Sequence, residues 1–95
     1  MNQRHAQGRR HDTRDSLEEN GQEGDWYLDD VQEPEFIWIR IPGGGVTIWE
    51  LSPHCDGYHP CWRWDGNREA PTLTPSLHLV GTWHGFMRNG RLESV

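Results

Sequence analysis

The sequence predicts an all-β fold, a small antiparallel sheet or partly open barrel of about five to seven short strands behind a disordered or loosely attached N-terminal segment. Runs of aromatic and β-branched residues separated by Gly and Pro, with six Trp in 95 residues, favour pleated strands over helices. A chain of this length supports one small domain. Neither a sustained helical periodicity nor an internal repeat competes with this prediction.

The first predicted hairpin covers residues 36–51. Residues 36–41 (FIWIRI) are almost entirely aromatic and β-branched, and residues 46–51 (VTIWEL) have a similar composition. Pro42-Gly43-Gly44-Gly45 stands between them, and its glycines accept the positive φ that a chain reversal requires. The two segments are therefore predicted to pair as antiparallel neighbours.

Later strands are shorter and are bounded by Gly, Pro or Asn. They are predicted at residues 62–64, 72–74, 76–80, 82–88 and 91–95. Pro71 and Pro75 confine the second of these to a sheet edge or a bend, because proline cannot donate to a central ladder. Asn89-Gly90 separates the last two and is the strongest short hairpin signal in the chain.

The formal net charge of −6 is unevenly distributed. Residues 15–35 carry nine acidic residues and no base, whereas residues 36–95 are balanced. Residues 1–24 hold a single large aliphatic residue, Leu17, so they cannot bury enough apolar surface to offset their ordering entropy. We therefore predict a disordered arm over 1–24, an acidic and aromatic linker or docking segment over 25–35, and a β domain over 36–95.

The chain contains no apolar run that approaches the roughly 20 residues needed to span a bilayer. The opening sequence MNQRHAQGRRHD has no hydrophobic stretch behind its Arg residues, unlike a secretory signal. We therefore expect neither a membrane protein nor a secreted precursor.

Most of the tryptophans are predicted to pack in the core and on the sheets, because a domain this small needs their large buried area. The alternative is a binding surface on which aromatic rings stack and Arg side chains contact phosphates. The candidate binding residues are Trp62, Trp64, Arg63 and Arg88.

A cluster of Cys and His residues predicts a structural zinc site. His54, Cys55, His59 and Cys61 lie within eight residues, and thiolates and imidazoles are the ligands that Zn²⁺ prefers. The proposed ligands are Cys55, Cys61, His84 and either His54 or His59. Two alternatives remain open: a disulfide between the two cysteines, or two free cysteines beside ordinary hydrogen-bonded histidines.

Catalytic signals are weak in the sequence. Cys61 with His59 or His84 could form a nucleophile and base, and His84 with Asp56 or Asp65 could form an acid–base pair. The known sequence motifs for a nucleophile elbow, a zinc protease, a phosphate loop or a dinucleotide site are absent. A small body also leaves little room for an enclosed pocket. The sequence therefore predicts that the protein is not an enzyme.

Two strings in the C-terminal half are distinctive: WDGNREAPTLTPSL, starting at Trp64, and WHGFMRNGR, starting at Trp83. With them, the chain resembles a family of small uncharacterised phage and prophage proteins over roughly residues 46–95. Members are often labelled "ammonia monooxygenase", although nothing in this chain could host that membrane copper chemistry.

The resemblance implies a phage-type accessory protein in the cytoplasm of a bacterial host cell, with a zinc site. Cys55 and Cys61 fall where the family has its paired loop cysteines, and His84 falls on its hairpin histidine. This chain departs from the pattern of that family at two places. The loop cysteines here are more widely spaced than the usual pair, and Trp83 replaces a cysteine found in many members.

Together these observations predict a small accessory protein that binds a host or phage protein of unknown identity, zinc-stabilised and non-catalytic. A nucleic-acid-binding module is the second hypothesis, disfavoured by the net charge. A small hydrolase-like enzyme is the third. The acidic segment could also mimic nucleic acid towards a basic partner, and exposed strand edges would allow a homodimer.

Overall fold

A computed structural model describes residues 6–29, 31, 33–52 and 61–95. Strands dominate this part of the chain, so the all-β prediction is confirmed. The elements are β1 (Ala6–Gln7), β2 (Arg10–His11), α1 (Arg14–Asn20), β3 (Trp26–Leu28), β4 (Phe36–Ile41), β5 (Gly45–Glu50), β6 (Arg63–Trp64), β7 (Leu73–Thr74), β8 (Leu77–Leu79), β9 (Trp83–Arg88) and β10 (Arg91–Ser94).

Two four-stranded sheets form the body, in the orders β1-β10-β9-β8 and β2-β3-β4-β5, and β6 pairs with β7 in a small third sheet. The named strands do not close into a barrel. Pairing is antiparallel everywhere among them except between β2 and β3. Both predicted hairpins are present, since β4 pairs with β5 and β9 pairs with β10. Asn89 and Gly90 adopt φ values of 52° and 73° in the second turn, which suits the Asn-Gly sequence.

The core lies between the inward faces of the two sheets. Alternate residues of β4, Ile37, Ile39 and Ile41, are buried, as expected for a strand with one face inside. Trp26 on β3 and Met87 on β9 are also buried in this cluster. Among the tryptophans predicted to pack in the core, Trp49 and Trp83 are buried in the same cluster, and Trp62 and Trp64 pack against it.

Residues 6–24, for which the sequence predicts a disordered or loosely attached arm, are packed against the sheets. β1 extends one sheet beside β10, and β2 extends the other beside β3. Leu17 on α1 is fully buried. Arg40 donates hydrogen bonds to the carbonyl oxygens of Leu17 and Glu18 in the last turn of α1. Main-chain pairing and this guanidinium thus hold a segment that contributes little apolar surface.

Replacing Thr13 by Ala should destabilise α1. Thr13 is the N-cap, and its Oγ1 accepts a hydrogen bond from the Ser16 N–H at 3.0 Å. Loss of such a cap costs about 1 kcal/mol in the free energy of unfolding. Urea denaturation of wild type, T13A and the cap-preserving control T13S measures the difference. Equal midpoints for T13A and wild type would show that the cap contributes nothing.

Candidate active site

Ser76 and His84 form a hydrogen-bonded pair on the surface of the first sheet. Ser76 directly precedes β8, and His84 lies on the neighbouring strand β9. The hairpin register sets Leu77 opposite Gly85 and His78 opposite His84, which brings the two side chains together. The Ser76 Oγ and His84 Nε2 atoms are 3.0 Å apart. His84 is exposed and Ser76 is half-buried, so the pair is accessible from solvent.

The side chains of His78 and Trp62 contact the Ser76–His84 pair and hold it in place. The His78 ring stacks on the His84 ring, with centroids 4.4 Å apart and an interplanar angle of 27°. Trp62 donates a hydrogen bond from Nε1 to the main-chain oxygen of Ser76 at 3.0 Å. Within the described ranges, His84 has no hydrogen bond to a carboxylate. The arrangement is therefore a serine–histidine pair oriented by a second histidine.

A groove of about 460 Å³ adjoins the pair. Its walls come from β5 on one side and β8 on the other, and its lining is mostly apolar. The lining residues are Phe36, Thr47, Ile48, Trp49, Glu50, Trp62, His78 and Leu79. Ser76 and His84 are not among these residues, but Trp62 contacts Ser76 and His78 contacts His84, so the groove lies next to the pair.

A histidine that hydrogen-bonds a serine hydroxyl can accept its proton and make the oxygen a nucleophile. The Ser76 hydroxyl is placed to donate to Nε2 of His84, the nitrogen that serves as the base in Ser-His-Asp proteases. This geometry is suited to attack on a carbonyl carbon and transfer of its acyl group.

A second serine–histidine pair lies between α1 and β2. Nδ1 of His11 is 2.8 Å from Ser16 Oγ, and Nε2 is 2.7 Å from Oδ2 of Asp25. His11 and Asp25 are only 6% and 3% exposed. Asp25 also accepts hydrogen bonds from the main-chain N–H groups of Arg9 and Gln22. The carboxylate thus links the backbone around residues 9–11 to the backbone around residues 22–25.

A family model matches residues 10–95, nearly the whole chain, and its description is "Bacterial ubiquitination-like system serine protease (BubE)". The chain belongs to the BubE family. No curated protein and no solved structure matches the chain. Among the described residues, the helix is too short and too polar to cross a membrane.

Membership in the BubE family corrects two predictions from the sequence. The prediction of a phage-type accessory protein that acts only by binding is wrong, because the family is a serine protease of a bacterial system. The prediction that the protein is not an enzyme is wrong for the same reason. The chain does belong to a small bacterial family, as the resemblance implied, but the matching family is BubE over residues 10–95 and is not specific to phages.

A BubE-family protease needs a serine that a polypeptide can reach, and Ser76 meets this requirement better than Ser16. Ser76 lies beside an apolar groove and next to an exposed histidine. His11 is buried, and its ring is reversed relative to a serine-protease triad, because Nδ1 faces the serine and Nε2 faces the carboxylate. The contacts of Asp25 with Arg9, Gln22 and His11 hold separate parts of the backbone together. This second cluster therefore has a structural role.

Only some of the predicted zinc ligands are among the residues that the structure describes. His54, Cys55 and His59 lie outside it. Cys61 is 7% exposed and disulfide-bonded. His84 faces Ser76. No group of three potential ligands meets within the described residues, and the zinc site stays a prediction.

The predicted binding residues Trp62, Trp64 and Arg88 each make different contacts, and their role in binding stays a prediction. Trp62 packs edge-on against Trp49 at 4.9 Å. The Arg68 guanidinium lies 5.6 Å from the centre of the Trp64 ring. Arg88 lies over Phe86 and forms an ion pair with Glu93 at 3.1 Å. Arg63 is exposed. Of this set, Trp62 alone contacts the serine–histidine pair.

Sequence reasoning singled out His84 but did not identify Ser76 as its partner. The signal available was the hairpin itself. Ser76 and His84 stand on opposite arms of a turn centred on Gly81, whose φ is +80°. A predicted register for residues 76–88 would have set His78 opposite His84 and Ser76 diagonally across from His84, on the same face of the sheet.

Proposed function

We propose that this protein is a serine protease in which Ser76 is the nucleophile and His84 the general base. The single observation that carries the assignment is the 3.0 Å contact between Ser76 Oγ and His84 Nε2, on an accessible surface beside a groove. Membership in a serine protease family supports it.

The proposed reaction is hydrolysis of an amide bond in two acyl-transfer steps. His84 removes the hydroxyl proton as Ser76 Oγ attacks the carbonyl carbon, and then gives that proton to the leaving amine as the C–N bond breaks. A water molecule next attacks the resulting serine ester, again losing its proton to His84. The His84 proton then passes to the Ser76 oxygen, which restores the enzyme and releases the carboxylic acid.

His78 acts as a positioning residue in this account. Its ring covers one face of His84 and restricts rotation of that imidazole, so that Nε2 stays directed at the serine oxygen. The indole of Trp62 fixes the main chain of Ser76 from the other side. The two contacts pre-organise the nucleophile and the base without themselves exchanging protons.

The proposed substrates are proteins, as the name of a bacterial ubiquitination-like system implies protein partners. Action in the bacterial cytoplasm is part of the proposal. The zinc site is a separate prediction: because zinc binds thiolates, it requires Cys61 in its reduced form. Metal analysis of the protein purified under reducing conditions, beside the C61S variant, tests that prediction.

A fluorophosphonate tests the proposed function without knowledge of the substrate, because it reacts with activated serines. We expect the folded protein to gain one adduct per chain, measured by intact mass spectrometry. Protein unfolded in concentrated urea should gain none, since the activation depends on the hairpin register. A folded protein that stays unmodified would contradict the proposal.

Replacing His78 by Ala should slow fluorophosphonate labelling by up to about 100-fold, because a misdirected base loses much of its effect. The variant H78F keeps a flat ring over His84 and should recover most of the rate. Time courses of adduct formation provide the measurement. If H78A and H78F label equally fast, ring stacking does not position His84.

A further inference from the structure

Within the residues that the structure describes, the outer edge of β8 pairs with no other strand. β8 ends the first sheet, with β9 on its inner side. Val95 donates its N–H to the carbonyl oxygen of His84 at 3.0 Å, so the main-chain groups of His84 face β10. His78, directly opposite, is therefore in a non-hydrogen-bonded pair, and its own N–H and C=O point away from β9.

These two groups have no hydrogen-bond partner within the residues that the structure describes. They border the groove beside the active site, which His78 and Leu79 help to line. The facing wall belongs to β5, where Ile48 is 58% exposed and Trp49, although nearly buried, also lines the groove. The groove thus offers an unpaired strand edge on one wall and apolar side chains on the other.

We propose that the outer edge of β8 binds an extended segment of the substrate as an added β-strand. The proposal rests on the proposed function and specifies its substrate class: unfolded tails or linkers of proteins, rather than side chains on a folded surface. The His78 N–H would donate to a substrate carbonyl, and the His78 C=O would accept from a substrate N–H.

The spacing supports this arrangement. An added strand lies about 4.8 Å from its neighbour and advances about 3.3 Å per residue. Ser76 is two residues before His78, so the substrate residue paired with His78 lies two residues from the scissile carbonyl. Side chains alternate along a strand, and those turned towards β5 would meet its apolar wall. We therefore expect an apolar substrate residue close to the cleaved bond.

The test uses proline, which removes a main-chain N–H. Because the His78 N–H faces outward, H78P leaves the β8–β9 hydrogen bonds intact. The reference is H78A, which loses the same ring but keeps the N–H. Gln7 on β1, the opposite edge of the same sheet, supplies a matched control: Gly8 donates to Gly90, so the Gln7 N–H also faces outward.

Fluorescein-labelled casein, an unstructured protein, serves as the extended substrate, and a small fluorophosphonate reports the state of Ser76 separately. We expect the ratio of casein cleavage to labelling rate to be about tenfold lower in H78P than in H78A, as the loss of one main-chain hydrogen bond predicts. The Q7P variant should match wild type in both its rate of casein cleavage and its rate of labelling. Equal ratios in H78P and H78A would overturn the proposal, as would casein left uncut by a wild type that labels.

A peptide taken from a cleaved site gives a second measurement that needs no variant. Methylation of single amide nitrogens along the peptide should slow cleavage most at the residue predicted to pair with His78, two residues from the scissile bond. Uniform effects at all positions would contradict strand addition. An unlabelled wild type would instead overturn the proposed function itself, so the two failures are distinguishable.

Discussion

Replacing Ser76 by Ala should abolish fluorophosphonate labelling and lower protein hydrolysis by more than about 10⁴-fold, the scale seen when a serine nucleophile is removed. The reason is that Ser76 combines an accessible hydroxyl with a histidine nitrogen at 3.0 Å. Labelling kinetics by intact mass give the rate for each variant. H84A should fall to a comparable level, because the hydroxyl proton then has no acceptor.

Ser16→Ala is the matched control for this experiment. Ser16 is also hydrogen-bonded to a histidine, at 2.8 Å, but that histidine is buried and engaged by Asp25. S16A should therefore label at the wild-type rate. If S16A loses labelling while S76A retains it, the active serine belongs to the His11–Asp25 cluster and the assignment of Ser76 is wrong.

Asp25→Ala should destabilise the fold by about 3 kcal/mol. The carboxylate is almost completely buried and accepts hydrogen bonds from His11, Arg9 and Gln22. Removing it leaves buried donors without acceptors, which is among the most costly changes to a small domain. Urea or thermal unfolding of wild type and D25A measures the loss.

Asp25→Asn is the control that separates structure from catalysis. It keeps the size of the side chain and should lose less stability than D25A. Below its unfolding temperature, D25N should label Ser76 at the wild-type rate. A folded D25N that does not label would place Asp25 in the catalytic machinery. A D25A variant as stable as wild type would refute the structural role of the Asp25 carboxylate.

The strands of the body were predictable because their signals are local. Phe36–Ile41 alternates core and surface residues, and Asn89-Gly90 selects a tight hairpin. The order within residues 6–24 was not predictable in the same way. It depends on contacts with residues distant in sequence, such as the pairing of β1 with β10 and the hydrogen bonds from Arg40 to α1. The amino-acid composition of residues 6–24 does not predict such contacts.

The candidate site was harder to predict than the fold. His84 stood out in the sequence as a metal ligand and as a candidate base for Cys61, but not as the partner of Ser76, because cysteines and histidines cluster more conspicuously than a serine does. A domain this small was expected to leave little room for a pocket, and this expectation did not anticipate a groove on the surface. The groove beside Ser76 is an open surface between two strand edges, β5 and β8, and it occupies no core volume.

The most direct test of the account is the identity of the labelled serine. The chain has four serines and no Lys, so trypsin, which cuts after Arg, places each serine in a separate fragment. Ser76 falls in residues 69–88 and Ser16 in residues 15–40. After reaction of the folded wild-type protein with a fluorophosphonate, the account predicts the adduct on fragment 69–88. An adduct on fragment 15–40, or on either of the other serine-containing fragments, would contradict it.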